Sequence, residues 1–412
     1  MAKSDRGGGA TLAPADPRSA AGEAPAAAWQ PLDGIRVVDF SVLVPGPFAS
    51  AILADLGAEV IKVESPRGDP GRSFIPPQFG PENRNKRSIA IDLKSPAAGP
   101  VVERLAQHAD IVLEGFRPGV AERLGIGYGT LSRLNGRLIY CSISGYGQSG
   151  PWRERPGHDV NYIAAAGGLA YPGQWLKPPG RASVAFADMG GASFAAIAVL
   201  AALAERARSG RGLRLDLSLF EAAFFWTAMR HGLEPEVDPR AHLFPANDVF
   251  ETADGKRLTL GILEEHFWQN FVRCVADIAP DLGADAYASD ARRRAAGDVL
   301  SARLAEVLRM KPADEWLVLL AANDVPVDAC QTPAEAADLP QIAARGGVVD
   351  LGGARYARFP VIAERAGGVR SATKIRRGVP QLGEHTRELL VELGFDDSEI
   401  AEMMRVKAVR AG

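Results

Sequence analysis

Short β-branched runs alternate with helical patterns throughout the first half of this chain. The residues Ile35 to Phe40 predict a buried strand, Pro47 to Leu56 predict a helix, and Glu59 to Val63 predict the next strand. The same succession continues with one helix and two strands, at Ala97 to Gln107, Asp110 to Glu114 and Leu138 to Ser144. Strands joined by helices in this way lie parallel and are covered on both faces. The sequence therefore predicts an α/β fold built on a Rossmann-like parallel sheet.

The pattern changes near His231, where we place a domain boundary. An Ala-rich helix over Ser193 to Arg206, a strand over Leu213 to Ser218 and an aromatic helix over Phe220 to Met229 end the first part. A hairpin pattern over residues 248–263 then begins a smaller α+β domain. Helices continue it, including one predicted over Asp290 to Arg309, and the Gly-rich, basic residues 365–380 are predicted to form a loop. We predict four parts: a disordered tail at 1–28, the first part of the large domain at 29–230, the small domain at 231–325, and a C-terminal segment at 326–412 that returns to the large domain.

Composition is that of a soluble globular protein and excludes several partners. Of 412 residues, 47% are hydrophobic and 24% charged. The net charge is −3, so no overall field attracts nucleic acid, and an anionic ligand must be held by a local cluster. The longest apolar stretch, Phe194 to Leu203, is too short to cross a bilayer. The three cysteines lack metal-binding spacing, so we expect a cytoplasmic protein without structural zinc.

The first turn between strand and helix argues against a dinucleotide cofactor. It reads Val44-Pro45-Gly46-Pro47 and not GxGxxG. The second strand has no acidic residue in the setting that a dinucleotide ribose requires. We therefore expect neither NAD nor another resident cofactor, in spite of the Rossmann-like pattern.

A histidine and an aspartate stand out as candidate proton carriers. His158 lies in Gly157-His158-Asp159-Val160-Asn161-Tyr162, and Asp188 lies thirty positions later, before Gly190-Gly191. Both follow glycine-rich or loop-forming residues within apolar sequence, which is a setting where pKa values can be tuned for acid/base chemistry. Structural roles are the alternatives: His158 bonding a loop carbonyl, and Asp188 capping a helix that begins near Gly191.

Several separate motifs resemble the class III CoA-transferase family, which includes the α-methylacyl-CoA racemases. The resemblance extends from about Pro31 to the C-terminus. The matching segments are Leu32-Asp33-Gly34-Ile35-Arg36-Val37-Val38-Asp39-Phe40, Ala54-Asp55-Leu56-Gly57-Ala58-Glu59-Val60-Ile61-Lys62-Val63-Glu64, Asn83-Arg84-Asn85-Lys86-Arg87-Ser88, Phe116-Arg117-Pro118-Gly119, Ser144-Gly145-Tyr146-Gly147, His385-Thr386-Arg387 and Leu393-Gly394-Phe395.

The resemblance implies one of two reactions. In the transferases the aspartate matching Asp188 is a nucleophile that forms a mixed anhydride, whereas in the racemases it is one of two acid/base groups. We favour the racemase because position 158 is histidine rather than the tyrosine common in transferases, and imidazole titrates near neutral pH. The resemblance also makes Glu264 the partner of the histidine, although a shift of one residue would exchange it with Glu265. The sequence contains no glycine-tetrad loop of the kind found in many formyl- and oxalate-type transferases.

The resemblance also implies a substrate and an assembly. An acyl-CoA thioester would bind through the residues that match CoA-binding positions in the family, namely Lys94, Gly115, Phe116, Arg117 and Arg123. The chain has Ser65 where some relatives place an arginine, so the phosphate contacts are expected to shift. We expect an interlocked homodimer, a largely apolar acyl pocket, and an oxyanion site made by backbone N–H groups near Met189 and Gly190.

Overall fold

The computed structural model describes residues 28–234 and 238–412. The strands are β1 (Arg36–Asp39), β2 (Glu59–Glu64), β3 (Lys86–Ile91), β4 (Ile111–Glu114), β5 (Ile139–Ser144), β6 (Arg214–Ser218), β7 (Val249–Glu251), β8 (Arg257–Leu260), β9 (Val327–Ala329), β10 (Val348–Leu351), β11 (Ala354–Ala357), β12 (Ile362–Glu364), β13 (Arg370–Ala372) and β14 (Val409–Arg410).

The helices alternate with these strands in the first half of the chain and cluster after β8. They are α1 (Pro45–Asp55), α2 (Gly71–Phe74), α3 (Pro76–Asn83), α4 (Gly99–His108), α5 (Val120–Arg123), α6 (Tyr128–Leu134), α7 (Asp159–Ala165), α8 (Phe186–Ser209), α9 (Leu219–His231), α10 (Glu265–Val275), α11 (Asp290–Ala295), α12 (Gly297–Leu308), α13 (Ala313–Ala322), α14 (Pro333–Ala337), α15 (Pro340–Ala344), α16 (Thr386–Glu392) and α17 (Asp397–Arg405).

The largest sheet in the described part of the chain has the strand order β14-β3-β2-β1-β4-β5-β6. The strands β1 to β6 all pair in parallel, which confirms the predicted Rossmann-like α/β fold. Successive residues of β1 point to opposite faces, so Val38 packs in the core that includes α4, and Val37 packs in the core that includes α1 and α8. Burial on both faces explains why these strands read as continuous apolar runs.

The residues from β7 to β9 form a hydrophobic core of their own, here called the second core, apart from the packing on the two faces of the large sheet. The strands β7, β8 and β9 form an antiparallel sheet, and Phe271, Leu304 and Trp316 of the following helices are fully buried against it. The hairpin predicted at 248–263 is present. The single helix predicted over Asp290 to Arg309 is wrong, because the structure ends α11 at Ala295 and begins α12 at Gly297.

The C-terminal residues pack on the first sheet. The strand β14 pairs antiparallel with β3, and α16 packs beside the same strand. Residues 365–380, expected to be a loop, contain β13 paired with β12. The N-terminal tail predicted at 1–28 lies outside the described residues except for Ala28.

Helix α8 is longer than the sequence indicates, because it begins at Phe186 and not near Ser193. It is the one helix in the described residues that is long and apolar enough to cross a membrane by length and composition. It packs against α1, α7, α9 and β5, and Ala195 and Val199 are fully buried there. These contacts are those of a core helix in an α/β protein.

Candidate active site

A cavity of about 680 Å³ opens at the carboxyl ends of the parallel strands. Its walls include the loops that follow β1, β4 and β5, namely Val42–Gly46, Gly115–Pro118 and Ser144–Gly145. The chain leaves β1 toward β2 on one side and later adds β4 on the other side, so the cavity lies at the point where the strand order reverses. Ligands of open α/β sheets bind in this position. Both His158 and Asp188 line the cavity.

The backbone on both sides of His158 is fixed by hydrogen bonds. The His158 N–H donates to Asn161 Oδ1 at 3.1 Å, one turn into α7. The Tyr162 hydroxyl donates to the Gly157 carbonyl, and a Cβ atom on Gly157 would lie 2.6 Å from the Tyr162 ring. Glycine at 157 therefore allows the Tyr162 ring to pack directly behind the histidine, whose imidazole is exposed at the cavity.

Asp188 lies in the first turn of α8, and its neighbour in space is Asp159. The buried Asp159 carboxylate accepts the Ala187 N–H at 2.8 Å and the Asp188 N–H at 3.4 Å. It also pairs with Arg181 at 3.3 Å. Asp159 thus caps α8 by accepting from Ala187, 28 residues away in sequence, and Asp188 itself does not cap this helix.

The pKa of Asp188 is shifted toward neutral pH. Burial, together with the nearby charge of Asp159, raises the pKa of Asp188 to about 7, against the smaller opposing effect of Arg181. No hydrogen bond to the Asp188 carboxylate occurs in the described part of the chain. A carboxyl group with this pKa is populated in both protonation states at pH 7, which suits an acid/base group.

The prediction of an oxyanion site made by backbone N–H groups near Met189 and Gly190 is wrong for Met189. Because α8 begins earlier than expected, the Met189 N–H donates to the Ala185 carbonyl at 2.9 Å within the helix. The glycine pair has a packing function instead: a Cβ on Gly191 would lie 2.4 Å from Leu219 Cδ2, at the contact with α9.

Glu264 does not line the cavity of the same chain. It is exposed at the residue before α10, in the region of the second core. Its neighbour Glu265 forms an ion pair with the buried Arg293 at 2.9 Å. Because Glu265 is paired with Arg293, Glu264 stays the predicted partner of His158.

The structure separates the predicted CoA-binding residues into two groups. Gly115, Phe116 and Arg117 line the cavity, whereas Lys94 and Arg123 are exposed outside its walls and stay predictions. Sequence reasoning missed other wall residues, including Phe74, Arg153 and Arg155. The signal for Arg153 and Arg155 was their place just before His158.

A buried ion pair holds one wall of the cavity. Lys62 and Asp69 have fully buried side chains and pair at 2.7 Å. Lys62 also donates to the Ser41 carbonyl at 3.2 Å, and Asp69 accepts the Leu43 N–H at 3.1 Å. Leu43 has a φ of 63°, a left-handed conformation that is unfavourable for leucine, so the pair stabilises a strained loop beside the site.

The strand β2 does end in an acidic residue, Glu64, but its carboxylate is occupied. It accepts hydrogen bonds from Arg72 at 2.8 Å and 2.7 Å and from the Ser88 hydroxyl at 2.7 Å, and its side chain is fully buried. A ribose has no access to this carboxylate. The physical setting that NAD binding needs is therefore missing at β2.

Comparison with known proteins agrees with this architecture. The sequence matches CoA-transferase family III over residues 32–386. It is 34% identical to an acyl-CoA transferase from Fusarium pseudograminearum, covering 90% of this chain and 86% of that protein. It is 33% identical to the α-methylacyl-CoA racemase of Mus musculus, covering 90% of this chain and 96% of that enzyme. A CAIB/BAIF family protein from Brucella suis has a similar structure, with a TM-score of 0.76 and 30% identity, covering 88% of this chain and 99% of that one.

The fold and the family match define an α/β enzyme with a candidate site at the carboxyl edge of a parallel sheet. The chain belongs to CoA-transferase family III, as the motif resemblance indicated. Transferases and racemases both occur among its relatives, so family membership leaves the reaction open.

Proposed function

We propose that this enzyme is an acyl-CoA racemase that inverts the α-carbon of a 2-methylacyl-CoA thioester. The observation that carries the proposal is the presence of His158 and Asp188 in one cavity, with the pKa of Asp188 raised to about 7. Inversion requires a base on one face of a carbon and an acid on the other. The Asp188 carboxyl group is populated in both protonation states at pH 7, and an imidazole can both accept and donate a proton, so the pair fulfils these two roles in either direction of reaction.

In the proposed reaction one of the two groups removes the α-proton, and the electrons of that C–H bond move toward the thioester carbonyl. The resulting enolate carries negative charge on the thioester oxygen. The other group then donates its proton to the opposite face of the same carbon. The enzyme ends with His158 and Asp188 in exchanged protonation states, and proton exchange with water restores them.

We further propose that the enzyme acts as an interlocked homodimer in the cytoplasm. Glu264 is exposed and lies in the region of the second core, so a second subunit would have to supply it to His158. The aromatic residues of α9 support an interface: Phe224, Phe225 and Trp226 have exposed fractions of 42%, 54% and 45%. Their exposure means that these three side chains are not part of the core of this chain.

A CoA-transferase reaction at the same site is the second candidate, favoured by the match to an acyl-CoA transferase. Here the ionised Asp188 would attack the thioester carbonyl, the C–S bond would break, and CoA would leave as a thiolate. The CoA thiolate would then attack the Asp188 carbonyl of the mixed anhydride, so that the first carboxylate leaves and an Asp188–CoA thioester remains. A second carboxylate would attack this thioester and release the CoA thiolate. The thiolate would finally attack the acyl carbonyl of the new anhydride, which gives the new acyl-CoA and frees Asp188.

Deuterium exchange separates the two reactions. A racemase incubated with 2-methylacyl-CoA in heavy water should place deuterium at the α-carbon without any second acid. A transferase should leave that carbon unlabelled and form an adduct on Asp188 that hydroxylamine traps.

Two histidine variants test the role of His158, one at that residue and one at a control position. His158→Ala should abolish the exchange, whereas His108→Ala, at an exposed position on α4, should retain it. Full exchange by His158→Ala would remove this histidine from the mechanism.

A further inference from the structure

Arg155 is a cation of the cavity wall without a protein partner. Its guanidinium lies over the Trp152 ring at 4.8 Å and over the Tyr146 ring at 5.5 Å. The side chain forms no hydrogen bond and no ion pair with any residue of 28–234 or 238–412. The five N–H donors of the guanidinium thus have no protein acceptor among these residues, and the side chain is exposed at the cavity.

The aromatic rings connect Arg155 to the residues that hold His158. Tyr146 is buried and packs edge-on against Trp152 at 5.5 Å and against Tyr162 at 5.2 Å. Tyr162 in turn bonds the Gly157 carbonyl, next to His158. Arg155 therefore packs on the same aromatic cluster that holds the backbone beside the proposed proton carrier.

The charges around the cavity leave Arg155 available for a ligand. Asp188 is the single acidic residue among the described wall residues, and its raised pKa reduces its charge at pH 7. Arg153 pairs with Glu154 at 3.3 Å, and the buried Lys62 is bound to Asp69. The cavity is thus locally positive in a chain with a net charge of −3. A local cluster of this kind is what holds an anionic ligand.

We propose that Arg155 binds an oxyanion of the substrate through two parallel N–H···O bonds. The oxyanion is a carboxylate on the acyl group or a phosphate of CoA, because a guanidinium fits both geometries. The position of Arg155, three residues before His158 and on the same aromatic cluster, favours the acyl carboxylate. In that case the enzyme prefers acyl groups that end in a carboxylate over neutral acyl groups of the same length. The inference depends on the proposed function only in that the substrate is an acyl-CoA.

The test compares Arg155→Gln with the wild-type enzyme by calorimetric binding of four thioesters. Succinyl-CoA and butyryl-CoA differ in the acyl carboxylate, and succinyl- and butyryl-pantetheine lack the nucleotide phosphates. Losing a charged bidentate contact should weaken binding about 10- to 100-fold. A loss confined to the two succinyl thioesters supports the acyl carboxylate. A loss confined to the two CoA thioesters supports a phosphate.

Other outcomes overturn the proposal. Equal binding by Arg155→Gln and wild type to all four compounds removes Arg155 from substrate binding. A uniform loss that includes butyryl-pantetheine assigns Arg155 a packing role, and Arg155→Met, which keeps the stacked alkyl chain, should then restore binding. Arg211→Gln, at an exposed position far along the chain, is the matched control. If the wild-type enzyme binds none of the thioesters, the proposed function fails. If wild type and Arg155→Gln bind all four equally, only the inference about Arg155 fails.

Discussion

Asp188→Asn should stabilise the protein, and the gain should depend on pH. The pKa of Asp188 rises from 3.8 to about 7 on folding because burial and the charge of Asp159 disfavour the carboxylate. At about 1.4 kcal/mol for each pKa unit, the ionised carboxylate costs the fold at most about 4 kcal/mol. Water in the open cavity screens part of this cost, so we expect a gain of about 2 kcal/mol for the asparagine variant at pH 8.

The sign of the pH dependence follows from the raised pKa. Above about pH 7 the carboxyl group is charged in both the folded and the unfolded state, so the full cost is present. Between about pH 7 and pH 4 the folded state takes up a proton that the unfolded state does not bind, and the cost disappears. The difference in free energy of unfolding between Asp188→Asn and wild type should therefore fall toward zero at pH 4.

Urea unfolding of both proteins at pH 4, 5, 6, 7 and 8, at one protein concentration, measures this difference. Other titrating groups are shared by the two proteins and cancel. Asp277→Asn, at an exposed position after α10, is the control and should show no pH-dependent gain. A constant difference between the Asp188 variant and wild type across this range would refute the reasoning, because it would mean that folding does not change the protonation of Asp188.

Three further predictions concern the supports of the site. Asp159→Asn should lower the pH midpoint of the activity profile, because it removes the negative charge that helps to raise the pKa of Asp188, the proposed acid/base group. Lys62→Met and Asp69→Leu should each lower the free energy of unfolding by about 3–5 kcal/mol, and the double variant by less than the sum, because each single change leaves one buried charge unpaired. Gly191→Ala should lower the thermal midpoint relative to Gly190→Ala, because a Cβ at 191 would meet Leu219 at 2.4 Å, whereas at 190 the nearest atom is 3.7 Å away. Equal midpoints for the two alanine variants would contradict the packing argument.

The sequence by itself determined the fold class, because burial of a parallel sheet leaves a local signature. The strands β1 and β2 bury apolar side chains on both faces, as Val37 and Val38 or Val60 and Ile61 do, and helices separate the strands. The family motifs were equally local, since each is a short run of residues. The element limits failed where a local pattern is weak, as at the start of α8 and at the break between α11 and α12.

The tertiary structure decided which of the candidate residues meet. His158 and Asp188 come together because Asp159, the first residue of α7, caps α8, and the chain reaches α7 from the carboxyl end of β5. The ion pair of Glu265 with Arg293 and the hydrogen bond from the strained loop at Leu43 to Asp69 are likewise contacts between residues that lie far apart in sequence. Periodicity reports how a segment is buried, but it does not report the partner that buries it. The chemistry of this site depends on those partners, and only the packed structure contains them.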